Sequence, residues 1–281
     1  MKPDLFIIGA ARSGTTSLYS YLDQHPDIFF SEVKEINFFS NPDVWVKGFE
    51  WYESHFQGQN NSKKCGEAST SYTVSPFLTD APRRIWEYNP NAKLIYIVRE
   101  PIERLVSHYM HRLHRGIERR PFIDLVDNLE NESTAWQGRY YYQLTQYMEF
   151  FDCSKIKVIT FDTLKKSPKT VIREIFDFLN VDSDFLVKKP EKVFNSSEGT
   201  QERSLFGISV LRFYRRHVEQ KRIPYILKKQ FLNVANIGSR PHEKPRLSSE
   251  ERKTIAEFYK EDLTRLSDRF DIDVSGWING E

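Results

Sequence analysis

Cysteine is almost missing from this chain: Cys65 and Cys153 are the only two in 281 residues. Two cysteines give neither a disulfide framework nor a CxxC metal spacing, and no metal ligand set is implied. Long hydrophobic runs are missing as well, since no stretch approaches the roughly 18 apolar residues of a membrane span. Met1-Lys2-Pro3-Asp4 leads straight into Leu5–Ile8 with no small-residue cleavage site behind it. The expectation is no signal peptide, no transmembrane segment and a cytoplasmic location. A charge excess of either sign is also lacking: 41 Lys and Arg against 39 Asp and Glu leave +2. That balance excludes a globally basic nucleic-acid coat and an acidic disordered tail, so no nucleic-acid partner is expected. Repeats, low-complexity tracts and a Pro/Gly/Ser linker are absent, and a single domain over 1–281 is expected. What the chain does have is 21 Phe and 14 Tyr, enough to bury a sizeable core.

Three short runs of branched and aromatic residues, Leu5–Ile8, Leu94–Val98 and Ile156–Phe161, predict buried strands. Each precedes a stretch of helical spacing: Thr16–Gln24, Ile102–His114 and Pro168–Leu179, the last with Pro168 in its first turn. Strand, loop and helix in repeated order predict an α/β fold, with a central parallel sheet flanked by helices in three layers. A further helix is predicted over Leu247–Phe270, capped within Ser248–Glu251. The range from about 195 to 245 is irregular and is expected to be loop-rich.

The first strand runs into Gly9-Ala10-Ala11-Arg12-Ser13-Gly14-Thr15-Thr16 and a helix follows at once. Small residues let backbone N–H groups approach an anion, and the helix N-terminus adds a positive dipole end. The Gly9 to Gly14 spacing matches half of the GxxxxGK[ST] phosphate loop, but Thr15 stands where a nucleotide triphosphatase has Lys. The cation has moved upstream to Arg12, and the strand Leu94–Val98 ends in Arg99 rather than a metal-binding Asp. Such a loop suits a phosphate-like group without the parts that handle a γ-phosphate and its Mg²⁺. A plain glycine-rich turn without a ligand is the competing reading.

A second candidate anion site follows the second strand. Arg99 stands at a strand's C-terminal end, where open parallel sheets bind ligands. Arg104 and Ser107 lie on the next helix, and an Arg fork with a hydroxyl suits a second, separate phosphate. Against it stands the possibility that Arg99 only pairs with Glu100 or Glu103.

Two anion sites on consecutive crossings without a Walker lysine resemble the sulfotransferases that use 3′-phosphoadenosine 5′-phosphosulfate (PAPS), a P-loop-type fold. The resemblance extends over most of the chain. Gly9–Leu18 is similar to that family's 5′-phosphosulfate loop, and Arg99-x-Pro101-x-x-Arg104-x-x-Ser107-x-Tyr109 to its 3′-phosphate motif. Glu35-Ile36-Asn37-Phe38-Phe39, Gly138–Leu144 and Phe161-Asp162-Thr163-Leu164 match further blocks, and Gly238-Ser239-Arg240-Pro241 is similar to the late cofactor loop. The Glu-x-x-Phe-Phe block with Gly48–Tyr52 looks closest to heparan-sulfate and related bacterial enzymes, not to the aryl and steroid enzymes with a histidine base.

The resemblance implies roles. Arg12, the backbone N–H groups of Ser13, Gly14, Thr15 and Thr16, and the two threonine hydroxyls would hold the 5′ end of PAPS. Arg12 would also neutralise charge on the leaving phosphate. Arg99 and Ser107 would bind the 3′-phosphate, and Ser239 and Arg240 of the late loop would be further cofactor-binding residues. Glu35 matches the general base that takes the acceptor's proton, with Glu32 and His55 as rivals. The expected acceptor is a hydroxyl of a carbohydrate, with a small-molecule or lipid hydroxyl as the alternative. One departure is Ala68, where the glycosaminoglycan enzymes carry an assisting lysine; that loss leaves more of the leaving-group work to Arg12. The basic residues within 212–229 would face an acidic acceptor, a membrane surface or solvent. A P-loop NTPase or kinase and a non-catalytic nucleotide-binding protein are the rival functions.

Overall fold

The structure, a computed structural model, describes residues 2–31, 33–57, 64–190, 201–202, 204–217, 233–241 and 243–278. Five parallel strands form its centre: β1 (Leu5–Gly9), β2 (Ile28–Phe30), β3 (Lys64–Ala68), β4 (Lys93–Val98) and β5 (Ile156–Thr160), in the order β2-β3-β1-β4-β5. Successive residues of a strand point to opposite faces, and here both faces are covered. Phe6 and Ile8 of β1 join Leu94, Tyr96 and Val98 in one core cluster, while Leu5 and Ile7 join Ile95 and Ile97 in the other.

The helices that frame the sheet are α1 (Thr15–Leu22), α2 (Ala81–Tyr88), α3 (Pro101–His114), α4 (Tyr140–Met148), α5 (Pro168–Leu179), α6 (Leu205–His217) and α7 (Ser249–Phe270). Leu18 and Leu22 of α1 pack with Ile172, Ile175 and Phe176 of α5 on one face. Helices α2, α3, α4 and α7 bury Ile85, Leu105, Leu144 and Tyr259 on the other, beside Phe38, Phe39, Tyr52 and Tyr72. The result is the three-layer α/β arrangement that the alternation of strand and helix predicts.

The three predicted strands and four predicted helices form within two residues of their expected bounds. Local chemistry explains the sharp starts. Pro101 opens α3 behind Glu100, whose side chain accepts from the N–H groups of Ile102 and Glu103 at 2.9 and 2.6 Å. Ser248 and Glu251 close a reciprocal capping box on α7.

The expectation of a loop-rich 195–245 is corrected in part by α6, thirteen residues within that range. Gly207 makes the stretch read as broken. It sits inside the helix because the chain packs there on the backbone of Ala235: an added Cβ would lie 2.1 Å from the Ala235 carbonyl oxygen. The rest of the basic segment, beyond residue 217 and up to 232, lies outside the described residues.

Candidate active site

The turn between β1 and α1 is held open by backbone conformations that few residues adopt. Arg12 has φ 71° and Gly14 has φ 91°, both in the left-handed region where glycine is favoured. A Cβ on Gly14 would also meet the Phe161 ring at 2.8 Å. The turn therefore presents the first amides of α1, which have no intrahelical partner, toward a cleft of about 980 Å³. Arg12, Gly14, Thr15 and Thr16 line that cleft. Ser13 is not among the cleft-lining residues: its N–H donates to Ala10 O at 3.2 Å and its Oγ is buried without a partner.

The two anion sites read from the sequence are contiguous rather than separate. Arg12 Nε donates to Ser107 Oγ at 3.1 Å, and Arg99 Nη1 donates to the Arg12 carbonyl at 3.2 Å. Burial and then the neighbouring Arg99 charge pull the Arg12 guanidinium below its ordinary range. Arg99 lies over the Phe161 ring and also faces Glu103 across 3.6 Å, so its pairing with Glu103 is present alongside the cleft geometry. Glu100 is occupied in capping α3. Arg104, read as part of the second site, points into the interior instead: it is fully buried and donates to Thr134 O.

Glu35 enters the cleft from the loop after β2. Its N–H donates to Ala68 O at 2.9 Å, and its carboxylate accepts from Thr70 N at 2.8 Å and Thr70 Oγ1 at 3.1 Å. Glu35 and Asn37 have φ 60° and 57°, a costly pair for non-glycine residues that the surroundings must hold in place. Asn37 Nδ2 donates to the Glu35 carbonyl at 2.7 Å, and Asn37 N donates to Ser69 Oγ at 3.0 Å. Behind them sits Glu67, buried at the end of β3 and accepting hydroxyl hydrogen bonds of 2.5–2.6 Å from Tyr52, Ser69 and Tyr72. Burial pushes the Glu67 carboxyl up while the Ser69, Tyr52 and Tyr72 donors oppose it.

Lys34 is the residue that sequence reading passed over. Its Nζ lies 3.0 Å from Glu35 Oε1 and 3.4 Å from Thr15 Oγ1, joining the carboxylate to the start of α1. The sequence signal was adjacency to Glu35, which also describes an ordinary solvated loop. The rival bases fare differently: His55 turns its Nδ1 to Trp51 O at 2.9 Å, and Glu32 lies outside the described residues. Ser239 is not among the cleft-lining residues and the Arg240 side chain is not described; Lys244 lines the cleft from that part of the chain. The Arg240–Pro241 backbone pairs antiparallel with Gln201–Glu202.

A family profile described as "Sulfotransferase domain" matches residues 2–267. The chain belongs to the sulfotransferase family. Among curated relatives of this sulfotransferase is the bifunctional heparan sulfate N-deacetylase/N-sulfotransferase 1 of Caenorhabditis elegans. It is 30% identical over 194 residues, 64% of this chain and 22% of the relative. Heparan sulfate glucosamine 3-O-sulfotransferase 6 of Homo sapiens is 28% identical over 203 residues, 70% of this chain and 57% of the relative. The sulfotransferase thus spans between about a fifth and under three fifths of these two relatives' length. A solved sulfotransferase from Alicyclobacillus acidocaldarius shares the fold over 99% of both chains, with a TM-score of 0.71 and 24% identity. The site chemistry suits the nucleotide donor of such enzymes: a helix start with Thr15 and Thr16, and cations at Arg12, Lys34 and Arg99, line the same cleft.

Proposed function

We propose that the chain transfers the sulfuryl group of PAPS to an acceptor hydroxyl, with a carbohydrate as the acceptor class. The observation that carries this reading is the convergence of Glu35, Lys34 and Arg12 on the start of α1, with no Walker lysine between them. PAPS supplies an activated sulfuryl group and a phosphate leaving group. Gly14, Thr15 and Thr16 bind its 5′ end through amides and hydroxyls, while Arg99 and Ser107 bind the 3′-phosphate. Glu35 accepts the acceptor's proton at a carboxylate oxygen as the new O–S bond forms. The old S–O bond breaks in line, and Arg12 and Lys34 meet the charge that grows on the leaving phosphate. Lys34 takes up work that Ala68 cannot do. The relatives' names, which specify heparan sulfate, support the carbohydrate class. A cytoplasmic location goes with this reading, and cell fractionation checks it.

The experiment is turnover with labelled donors. Product should form in excess EDTA, with PAPS strongly preferred over adenosine 5′-phosphosulfate. Adenosine 3′,5′-bisphosphate (PAP, the product nucleotide) should inhibit far better than AMP, and ATP should be neither hydrolysed nor competitive. Metal-dependent ATP turnover, or equal inhibition by PAP and AMP, would overturn the proposal and promote the NTPase reading.

A further inference from the structure

Glu67 is a carboxylate in the interior that the chemistry above does not use. It is 1% exposed at the end of β3 and does not line the cleft. Its hydrogen-bond partners among the described residues are three hydroxyls. Ser69 and Tyr72 each donate to Oε1 at 2.6 Å, and Tyr52 donates to Oε2 at 2.5 Å. A buried carboxylate is costly to keep, and an apolar side chain of similar volume often fills such a position with no loss of stability. What its three donors touch next says why it stays.

Each of the three meets a different residue of the segment that follows Glu35. A hydroxyl has one proton, and once that proton is given to Glu67 the oxygen offers only lone pairs. The Ser69 oxygen then accepts from Asn37 N–H at 3.0 Å, and the Tyr72 oxygen from Phe39 N–H at 3.4 Å. Between these two, the Tyr52 ring stacks on Phe38 with centroids 4.4 Å apart and planes 13° apart. Asn37, Phe38 and Phe39 are thus held in succession, and Asn37 Nδ2 carries the constraint to the Glu35 carbonyl at 2.7 Å. Glu35 and Asn37 both have positive φ, a conformation that persists only where neighbours determine it. Without an acceptor at Oε1, the Ser69 and Tyr72 protons are free to turn toward the loop, where they would oppose its N–H groups.

Resting on the reading of Glu35 as the general base, we propose that Glu67 is its positioning residue. Through Ser69, Tyr52 and Tyr72 it imposes the backbone conformation that aims the Glu35 carboxylate at the acceptor hydroxyl. The effect falls on kcat rather than on donor binding. A misaimed base slows proton transfer but leaves the contacts assigned above to Arg12, Thr15, Thr16 and Ser107 in place.

The test is a mutant cycle on the full chain, read by turnover of labelled PAPS with heparan sulfate as acceptor and by PAP calorimetry. Ser69→Ala cuts the relay to Asn37 and should lower kcat about tenfold, with PAP affinity within twofold of wild type. In the Glu35→Gln background the same change should cost less than twofold, since a base already removed cannot be misplaced. Glu67→Leu should lower kcat at least as far as Ser69→Ala. Glu67→Gln should recover most of that loss, because its amide oxygen can stand at the Oε1 position while only the Tyr52 hydroxyl turns. Ser69→Ala keeps the Tyr52 and Tyr72 bonds to Glu67, so it decides the matter even where Glu67→Leu does not fold. Wild-type kcat in Ser69→Ala, or an equal loss with and without Glu35, would overturn the positioning role. So would a Glu67→Gln protein as slow as Glu67→Leu. Full turnover in Glu35→Gln itself, or none in the wild-type chain, would instead overturn the sulfuryl-transfer reading beneath it.

Discussion

At the scale of single residues, the site depends on a glutamate held from three directions. Thr70 fixes the Glu35 oxygens, Asn37 its carbonyl, and Lys34 approaches Oε1. Glu35→Gln keeps that shape and removes the proton acceptor. Turnover should fall by about 10²–10⁴ with PAP affinity unchanged by calorimetry; retained turnover would remove Glu35 from the base role. Lys34→Met should lower kcat about a hundredfold, as loss of one donor to developing charge does, with a much smaller change in PAP affinity. Near wild-type kcat in that variant would leave Arg12 alone as the charge-bearing group. The glycine and hydroxyl pattern of Gly9–Thr16 and the position of Arg99 were legible in the sequence because each is a local signature. Lys34 was not, since its meaning comes from β2's exit loop meeting the start of α1. Nor was the burial of Arg104, whose partners include the carbonyl of Thr134, thirty residues on.

At the scale of elements, α7 is tied to α4 by one side chain. Asp262 of α7 accepts from Tyr141 N at 2.9 Å and Tyr142 N at 2.8 Å, satisfying the open start of α4. Burial pushes the Asp262 carboxyl up to about 6, with the two N–H donors opposing. The folded chain keeps this proton where the unfolded chain, near 3.8, has lost it. The associated stability is complete below about pH 4 and is lost as pH rises through about 6, on the order of 3 kcal/mol in all. Urea unfolding between pH 4 and 7 should show this decline, and Asp262→Asn should remove it relative to wild type. Parallel profiles for the two proteins would refute the assignment. Among elements, the strand–helix units with a hydrophobic run and a cap were legible. The three-residue β2 was too short to carry a pattern, and α6 was hidden by Gly207, whose missing side chain serves a neighbour rather than a turn.

At the scale of the whole molecule, the two faces of the sheet divide the labour. The loop helix α1, α5 and Phe161 gather in one core; α3, the Glu35 loop and the Tyr52–Tyr72 layer gather in the other. The cleft opens between them at the strands' C-terminal ends, where parallel sheets place ligands. No helix among the described residues is long and apolar enough to cross a membrane. The fold class followed from the order of strands and helices alone, because burial of both sheet faces leaves few other solutions. The grouping of cations in the cleft did not follow, since it sums residues scattered from Arg12 to Lys244.

The Arg12–Ser107 hydrogen bond has a thermodynamic consequence. Ser107 Oγ accepts from Arg12 Nε and keeps its own O–H for an arriving phosphate, so an anion that fixes either partner also orients the other for its companion. Two halves of a donor, added as separate molecules, should then assist each other: adenosine 3′-phosphate should tighten the binding of inorganic sulfate, and sulfate should tighten the nucleotide by the same factor. Ser107→Ala, which removes the bond in advance, should leave the two fragments indifferent to one another in titration calorimetry. Unchanged mutual assistance in that variant would mean that the contact is incidental. The strength of the donor's grip would on this account lie less in either phosphate pocket than in the single latch between them.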